Sequence, residues 1–177
     1  MPRAAEGDTQ IDIDLSGQLG RFDTETVMAA VACPPCDTSS GRSIIIIISG
    51  QVKQTVRQEL QGYFRVLRRP ELALYVAGLC ILIQRTTKSI PLDRGAQFLI
   101  DNEFSGKERE IRGRLLNYIR TIDPGFAKER IVFGRMGRNS PAYKIARAGR
   151  RARAEGSIIG DAELISAEQL LTVLGFS

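Results

Sequence analysis

The chain contains no histidine among its 177 residues. Without imidazole there is no Ser-His-Asp triad, no histidine general base and no zinc site with nitrogen ligands. Chemistry is left to carboxylates, Lys, Arg, Tyr, Ser and Cys. Cysteine is scarce, with only Cys33, Cys36 and Cys80. Three thiolates without a histidine cannot close a four-ligand zinc site within one chain. Cys33-Pro34-Pro35-Cys36 has the C-x-x-C spacing, but Asp37, Ser39, Ser40 and Gly41 beside it read as a loop between strands. Loop thiols or a local disulfide, a metal half-site completed in a dimer, and a redox pair all stay open there. No apolar run reaches the ~18 residues of a membrane span. The longest, Leu72 to Ile83, is about twelve residues and follows Pro70, as suits a buried core helix. No basic segment followed by an apolar one opens the chain, so no secretory signal is predicted and a cytoplasmic location is expected by default.

What is present suits a globular α/β domain. Hydrophobic residues make up 43% and charged residues 25% of the chain, enough to bury a core. A single domain spanning 1–177 is expected, with its core over 10–155 and a C-terminal helical appendage over 156–177. Alternation predicts strands over Gln10–Leu15 and Arg21–Ala32, and five consecutive isoleucines predict a third over Ser43–Ser49. Helical periodicity follows from Gln51, with Val52, Val56, Leu60, Tyr63, Phe64 and Leu67 on one face. A second helix is expected over Glu71–Gln84, its last residues compatible with a strand. Ala96–Phe104 reads as the fourth strand, and Ser105 with Glu108 as a capping box for a helix to about Arg120. Arg130–Phe133 is a short fifth strand. Ser140 with Pro141 opens a helix to about Glu155, and Ser166 with Gln169 opens a last short one that Gly175 closes.

Two features carry the functional expectation. The first is acidic. Ile11-Asp12-Ile13-Asp14-Leu15-Ser16-Gly17 and Phe98-Leu99-Ile100-Asp101-Asn102-Glu103-Phe104 each place carboxylates at the end of a hydrophobic strand. Such charges are costly near a core unless they share a cation or a partner. Period-two alternation puts Asp12 and Asp14 on one face of their strand, and Asp101 and Glu103 on one face of theirs. A solvated polar face is the alternative. The second feature is basic. The net charge is +5, and from Lys128 to Arg153 Glu129 is the only acid among nine Lys and Arg. Arg135 and Arg138 lie in a Gly-rich loop, and Lys144, Arg147, Arg150 and Arg151 follow along one predicted helix. Positive charge at this density suits nucleic-acid phosphates, with a solvated cationic helix end as the alternative. Phe133 and Tyr143 are the segment's only aromatic residues, so base stacking has little to work with.

The order of these elements resembles the ribonuclease H-like superfamily. The resemblance implies an α/β fold with a mixed five-stranded sheet of order 3-2-1-4-5 and helices on both faces. It rests on Asp14-Leu15-Ser16-Gly17 as the first-strand acid and small-residue turn, on Asp101 in the fourth strand, and on Glu59 within the apolar arc of the first helix. It implies a nuclease in which Asp14, Glu59 and Asp101 are catalytic, and Asp14, Asp101, Asp12 and Glu103 hold Mg²⁺ or Mn²⁺. Arg135, Arg138, Lys144, Arg147, Arg150 and Arg151 would then contact the DNA or RNA. One departure stands out, because the final helix carries Lys144 about where the family places a last acid. Glu103 or Glu155 substitutes for that acid, or one metal suffices, or the site is degenerate and the protein is a non-catalytic nucleic-acid-binding or scaffold protein. A nucleotide-binding protein on a related sheet is a further alternative, although no P-loop is present. The isoleucine strand is expected at the sheet edge, where it needs cover from the C-terminal helix or from a second subunit in a homodimer.

Overall fold

The computed structural model describes residues 9–33, 43–61 and 69–176. In chain order the elements are β1 (Gln10–Ser16), β2 (Thr26–Cys33), β3 (Ser43–Ile48), α1 (Gly50–Leu60), α2 (Pro70–Ser89), β4 (Gln97–Asp101), α3 (Glu108–Ile122), β5 (Ile131–Gly134), α4 (Pro141–Ala154), β6 (Glu163–Leu164) and α5 (Ala167–Leu174). The fold is α/β, with one mixed sheet in the order β5-β4-β1-β2-β3-β6. This corrects the five-stranded expectation. β3, β2, β1, β4 and β5 succeed one another as anticipated, and a sixth strand is added beyond β3. β1–β2 and β2–β3 are antiparallel, whereas β1–β4, β4–β5 and β3–β6 are parallel.

The sixth strand answers the edge problem of the isoleucine strand. Ile46 and Ile47 pair with Glu163 and Leu164, and the Ile165 N–H extends the pairing onto the Ile47 carbonyl at 2.9 Å. The cover comes from the chain itself, so the open edge invoked for a second subunit is not at β3. The segment from 156 on contributes a strand as well as a helix. Its Ile165 and Leu170 are buried in the main core, and α5 packs against α2 and α1.

Strand alternation sorts side chains into two layers. On one face Ile11, Ile13, Met28, Ala30, Ile46, Ile48, Phe98 and Ile100 meet Val56 and Leu60 of α1, the inner side of α2, and Ile111, Leu115 and Ile119 of α3. On the other, Val27, Ala29, Ile45 and Ile47 meet Ala146 of α4. Ala142, Ala146 and Gly149 recur at helical spacing along the buried side of α4. A Cβ on Gly149 would sit 3.0 Å from the Val27 Cγ1, so this small-residue seam lets the helix lie close against β2.

Several boundaries differ from the sequence expectation. Residues 21–25 form turns, and β2 begins only at Thr26. The cause is Lys53, fully buried on α1, whose Nζ donates to the Gln18 carbonyl (3.1 Å), the Arg21 carbonyl (2.7 Å) and the Thr26 hydroxyl (3.1 Å). These three bonds use every donor of an ammonium group and bind the β1–β2 loop to the helix. Gly17 starts that loop at φ 101°, and a Cβ there would run into the Glu25 carbonyl. Ser49, expected in a strand, caps α1 by accepting from the Val52 N–H. α2 stays helical to Ser89, because Leu79 to Ile83 are buried on every side. Ser105 does not cap α3. Glu108 accepts instead from Asn102 and from the Gly106 N–H, and the helix starts there without a side-chain cap. The capping by Ser140 and the capping box of Ser166 and Gln169 are as expected. Cys36 and the predicted helical positions Tyr63, Phe64 and Leu67 lie outside the described residues. Among the described residues, no helix is long and apolar enough to cross a membrane.

Candidate active site

β1 and β4 run side by side and parallel, with Ile11 beside Phe98 and Ile13 beside Ile100. These four side chains point into the main core, so Asp12, Asp14 and Asp101 take the opposite face, on which α4 packs over β1 and β2. Asp14 and Asp101 come one step after the last of these pairs, Asp101 as the final residue of β4 and Asp14 two residues before the end of β1. β1 then turns back into β2 while β4 leaves for α3, so the chain diverges at this point. Open α/β sheets place ligand sites at such divergences.

Asp14 is only 6% exposed. Its Oδ1 accepts the Leu15 N–H at 2.6 Å. Burial nevertheless pushes its carboxyl up to about 6, against the pull of the Leu15 N–H, and the charges of Asp101, Glu103 and Asp12 push the same way. Glu103 is raised as well, by burial and then by Asp101. Tyr75 reaches the same place from α2, its hydroxyl donating to the Asp101 carbonyl at 2.9 Å and its ring 5.2 Å from that of Phe104. Burial and then the charges of Glu103, Asp101 and Asp14 hold its phenol firmly protonated. Asp14, Asp101, Glu103 and Tyr75 therefore share one electrostatic environment. The Asp101 Oδ1 also accepts the Met136 N–H at 2.7 Å, which ties the loop before α4 to this carboxylate.

Of the other expected acids, Asp12 acts on Asp14 by its charge alone, and Glu59 and Glu155 stand apart. Asp12 is buried but turned to other partners. Its Oδ1 accepts from the Gln10 side chain at 2.7 Å, and it lies against Cys33, whose thiol is pushed up to about 12 by burial and then by Asp12. Glu59 is exposed on α1 and is not among the charges acting on Asp14. The apolar arc assigned to it depended on Val52, which is half-buried, and on Tyr63, Phe64 and Leu67, which lie outside the described residues. The buried line of α1 runs through Lys53, Val56 and Leu60 instead. Glu155 is exposed at the C-terminal end of α4.

Donor chemistry is one test of the metal expectation. Asp14 and Asp101 supply hard oxygens, and a cation beside them would offset the repulsion that Asp101 exerts on Asp14. Among the described residues, no three acidic or sulfur side chains are grouped to hold a metal ion. Mg²⁺ does not require such a cage, because it keeps several waters and often takes only one or two carboxylates plus substrate phosphate oxygens. Asp14 and Asp101, with Glu103 nearby, have the donor chemistry an ion of that kind takes.

The basic surface adjoins this end of the sheet. α4 crosses β1 and β2, and its outer side exposes Lys144, Arg147, Arg150 and Arg151. A cavity of about 370 Å³ opens between that side and the end of β1, lined by Ser16, Tyr143, Arg147, Arg150, Arg151 and Ala154. The Arg147 guanidinium donates to the Tyr143 hydroxyl at 3.4 Å. Among the described residues, none of Arg135, Arg138, Lys144, Arg147, Arg150 and Arg151 is in an ion pair. Arg153 is committed elsewhere, in a two-bond pair with Glu25 that fastens the β1–β2 loop to the end of α4.

Sequence reasoning missed Tyr75, Lys53 and Met136. A tyrosine within an otherwise aliphatic helix was a signal for the first. A lysine in line with Val56 and Leu60 was a signal for the second. The role of Met136 lies in its backbone N–H and leaves no trace in residue type. No family model and no curated protein matches the chain.

Proposed function

We propose that the protein hydrolyses phosphodiester bonds of DNA or RNA at Asp14 and Asp101, with Mg²⁺ or Mn²⁺, on a ribonuclease H-like fold. The observation that carries this reading is the meeting of Asp14 and Asp101 just past the last pair of two neighbouring parallel strands, where the charge of Asp101 acts on the buried Asp14. A divalent cation there would offset the like charges of Asp101, Glu103 and Asp12 that press on Asp14. The succession of β3, β2, β1, β4 and β5 in the sheet agrees with that superfamily.

In this reading Asp14 and Asp101 are the ligands, and Glu103 extends the negative field that attracts the ion. The bound ion supplies Lewis-acid polarisation of the phosphate and an activated water, which removes the need for histidine. Arg147, Arg150 and Arg151 offset the charge of the backbone and bring a phosphate toward the carboxylates. Tyr75 holds the Asp101 main chain in place, and the Met136 N–H orients its carboxylate.

A second reading is a non-catalytic nucleic-acid-binding protein, favoured by the exposure of Glu59 and by Lys144 in place of a final-helix acid. Incubation of the full chain with labelled DNA and RNA strands separates the two. Cleavage in Mn²⁺ or Mg²⁺ that EDTA stops and Asp101→Asn removes is the expected result. Strands retained at low salt but left intact in either ion would establish the second reading.

A further inference from the structure

The cavity between α4 and the end of β1 has more positive charge than one internal phosphodiester needs. Arg147, Arg150 and Arg151 converge on it at helical spacings of three and four, and none is in an ion pair among the described residues. Arg153, on the same helix, has Glu25 as its partner, so the chain neutralises one arginine of this helix and leaves the cavity's three open. The Tyr143 and Ser16 hydroxyls complete a lining of donors with no carboxylate in it. A diester carries one negative charge, whereas a terminal monophosphate carries close to two and offers three free oxygens to guanidinium forks.

Position adds a constraint. Ser16 follows Asp14 by two residues on the same strand, a separation of about 7 Å. That is on the scale of one nucleotide step. A terminal phosphate seated by Ser16 and the arginines would bring the first or second phosphodiester of the same strand to Asp14 and Asp101.

We propose that this cavity is a subsite for the terminal monophosphate of a nucleic-acid strand, so that the protein engages its substrate from an end. The inference rests on the nucleic-acid reading above and gives it a substrate class.

The test uses the full chain carrying Asp14→Asn in EDTA, so that no cleavage intervenes. Three internally labelled strands of one sequence are compared by fluorescence anisotropy at physiological salt. One bears a 5′-monophosphate, one a 3′-monophosphate, and one hydroxyls at both ends. Expected is binding about tenfold tighter for one phosphorylated strand than for the hydroxyl-ended strand. Arg147→Gln and Arg150→Gln, both at exposed positions, each remove most of that preference. Arg138→Gln, outside the cavity, weakens all three strands alike. Equal affinities for the three strands, or a preference that survives both cavity variants, would overturn the subsite while leaving nucleic-acid binding in place. No binding to any strand would overturn both.

Discussion

Asp14→Asn is expected to make the folded protein more stable at pH 7.5 while lowering cleavage about 100-fold or more. The stability gain follows from the direction of the Asp14 shift. Its carboxyl is held at about 6 in the fold, against 3.8 for the unfolded chain, chiefly by burial and with added push from Asp101, Glu103 and Asp12. A carboxyl raised on folding contributes its full stability below the unfolded value and loses it as pH climbs through the folded one. Wild type therefore weakens between about pH 4 and pH 6 relative to the variant, and the gap stays constant above that. A gap of at most about 3 kcal/mol is expected at neutral pH. Asparagine keeps the acceptor for the Leu15 N–H, so no hydrogen bond is lost with the charge. Urea denaturation at pH 4 and pH 7.5 measures it. Curves that diverge at pH 7.5 and converge at pH 4 are expected, whereas a variant less stable at pH 7.5 would place Asp14 in a favourable structural role.

Lys53→Met is expected to destabilise the protein by about 2–3 kcal/mol at pH 7. Methionine fills much the same volume, so the loss reports the three hydrogen bonds to the Gln18 and Arg21 carbonyls and the Thr26 hydroxyl. Burial pushes this ammonium down to about 8, with Asp23 and Glu25 pulling it up and Arg150 pushing it down. A lysine depressed on folding gives stability that is complete above its unfolded value and lost as pH falls through the folded one. The wild-type advantage should therefore widen between about pH 8 and pH 10.5. Faster amide exchange across residues 18–25 accompanies the loss, because these bonds tie the loop to α1. A variant as stable as wild type, with unchanged exchange, would show that water replaces the lysine without penalty.

The sequence was most legible where period and turn chemistry act locally. The alternation of Ile11, Ile13, Phe98 and Ile100 disclosed two core strands and, by parity, kept Asp12 and Asp14 off the core face of β1 and Asp101 off that of β4, while only the observed register brings the two strands' acids side by side. Ser140-Pro141 and Ser166 with Gln169 marked helix starts through short-range hydrogen bonds. Contacts between distant segments were not legible. β6 is two residues long and carries no strand signal of its own, since its pairing is imposed by the isoleucine edge it covers. The arc given to Glu59 leaned on positions outside the described residues, whereas within α1 the buried line runs through Lys53, Val56 and Leu60 and leaves Glu59 exposed. The C-x-x-C motif drew attention by spacing alone, while Met136 takes part in the site by a backbone N–H that any residue except proline supplies.

The most direct measurement is a calorimetric Mn²⁺ titration of the full chain at pH 7.5, beside Asp14→Asn and Asp101→Asn. The expected result is saturable binding by wild type that weakens about tenfold or more in each variant and fades as pH falls toward 5, where protons compete for Asp14. Absence of saturable binding up to about 10 mM Mn²⁺, or binding unchanged by both substitutions, would contradict the assignment of Asp14 and Asp101 as the metal-dependent centre.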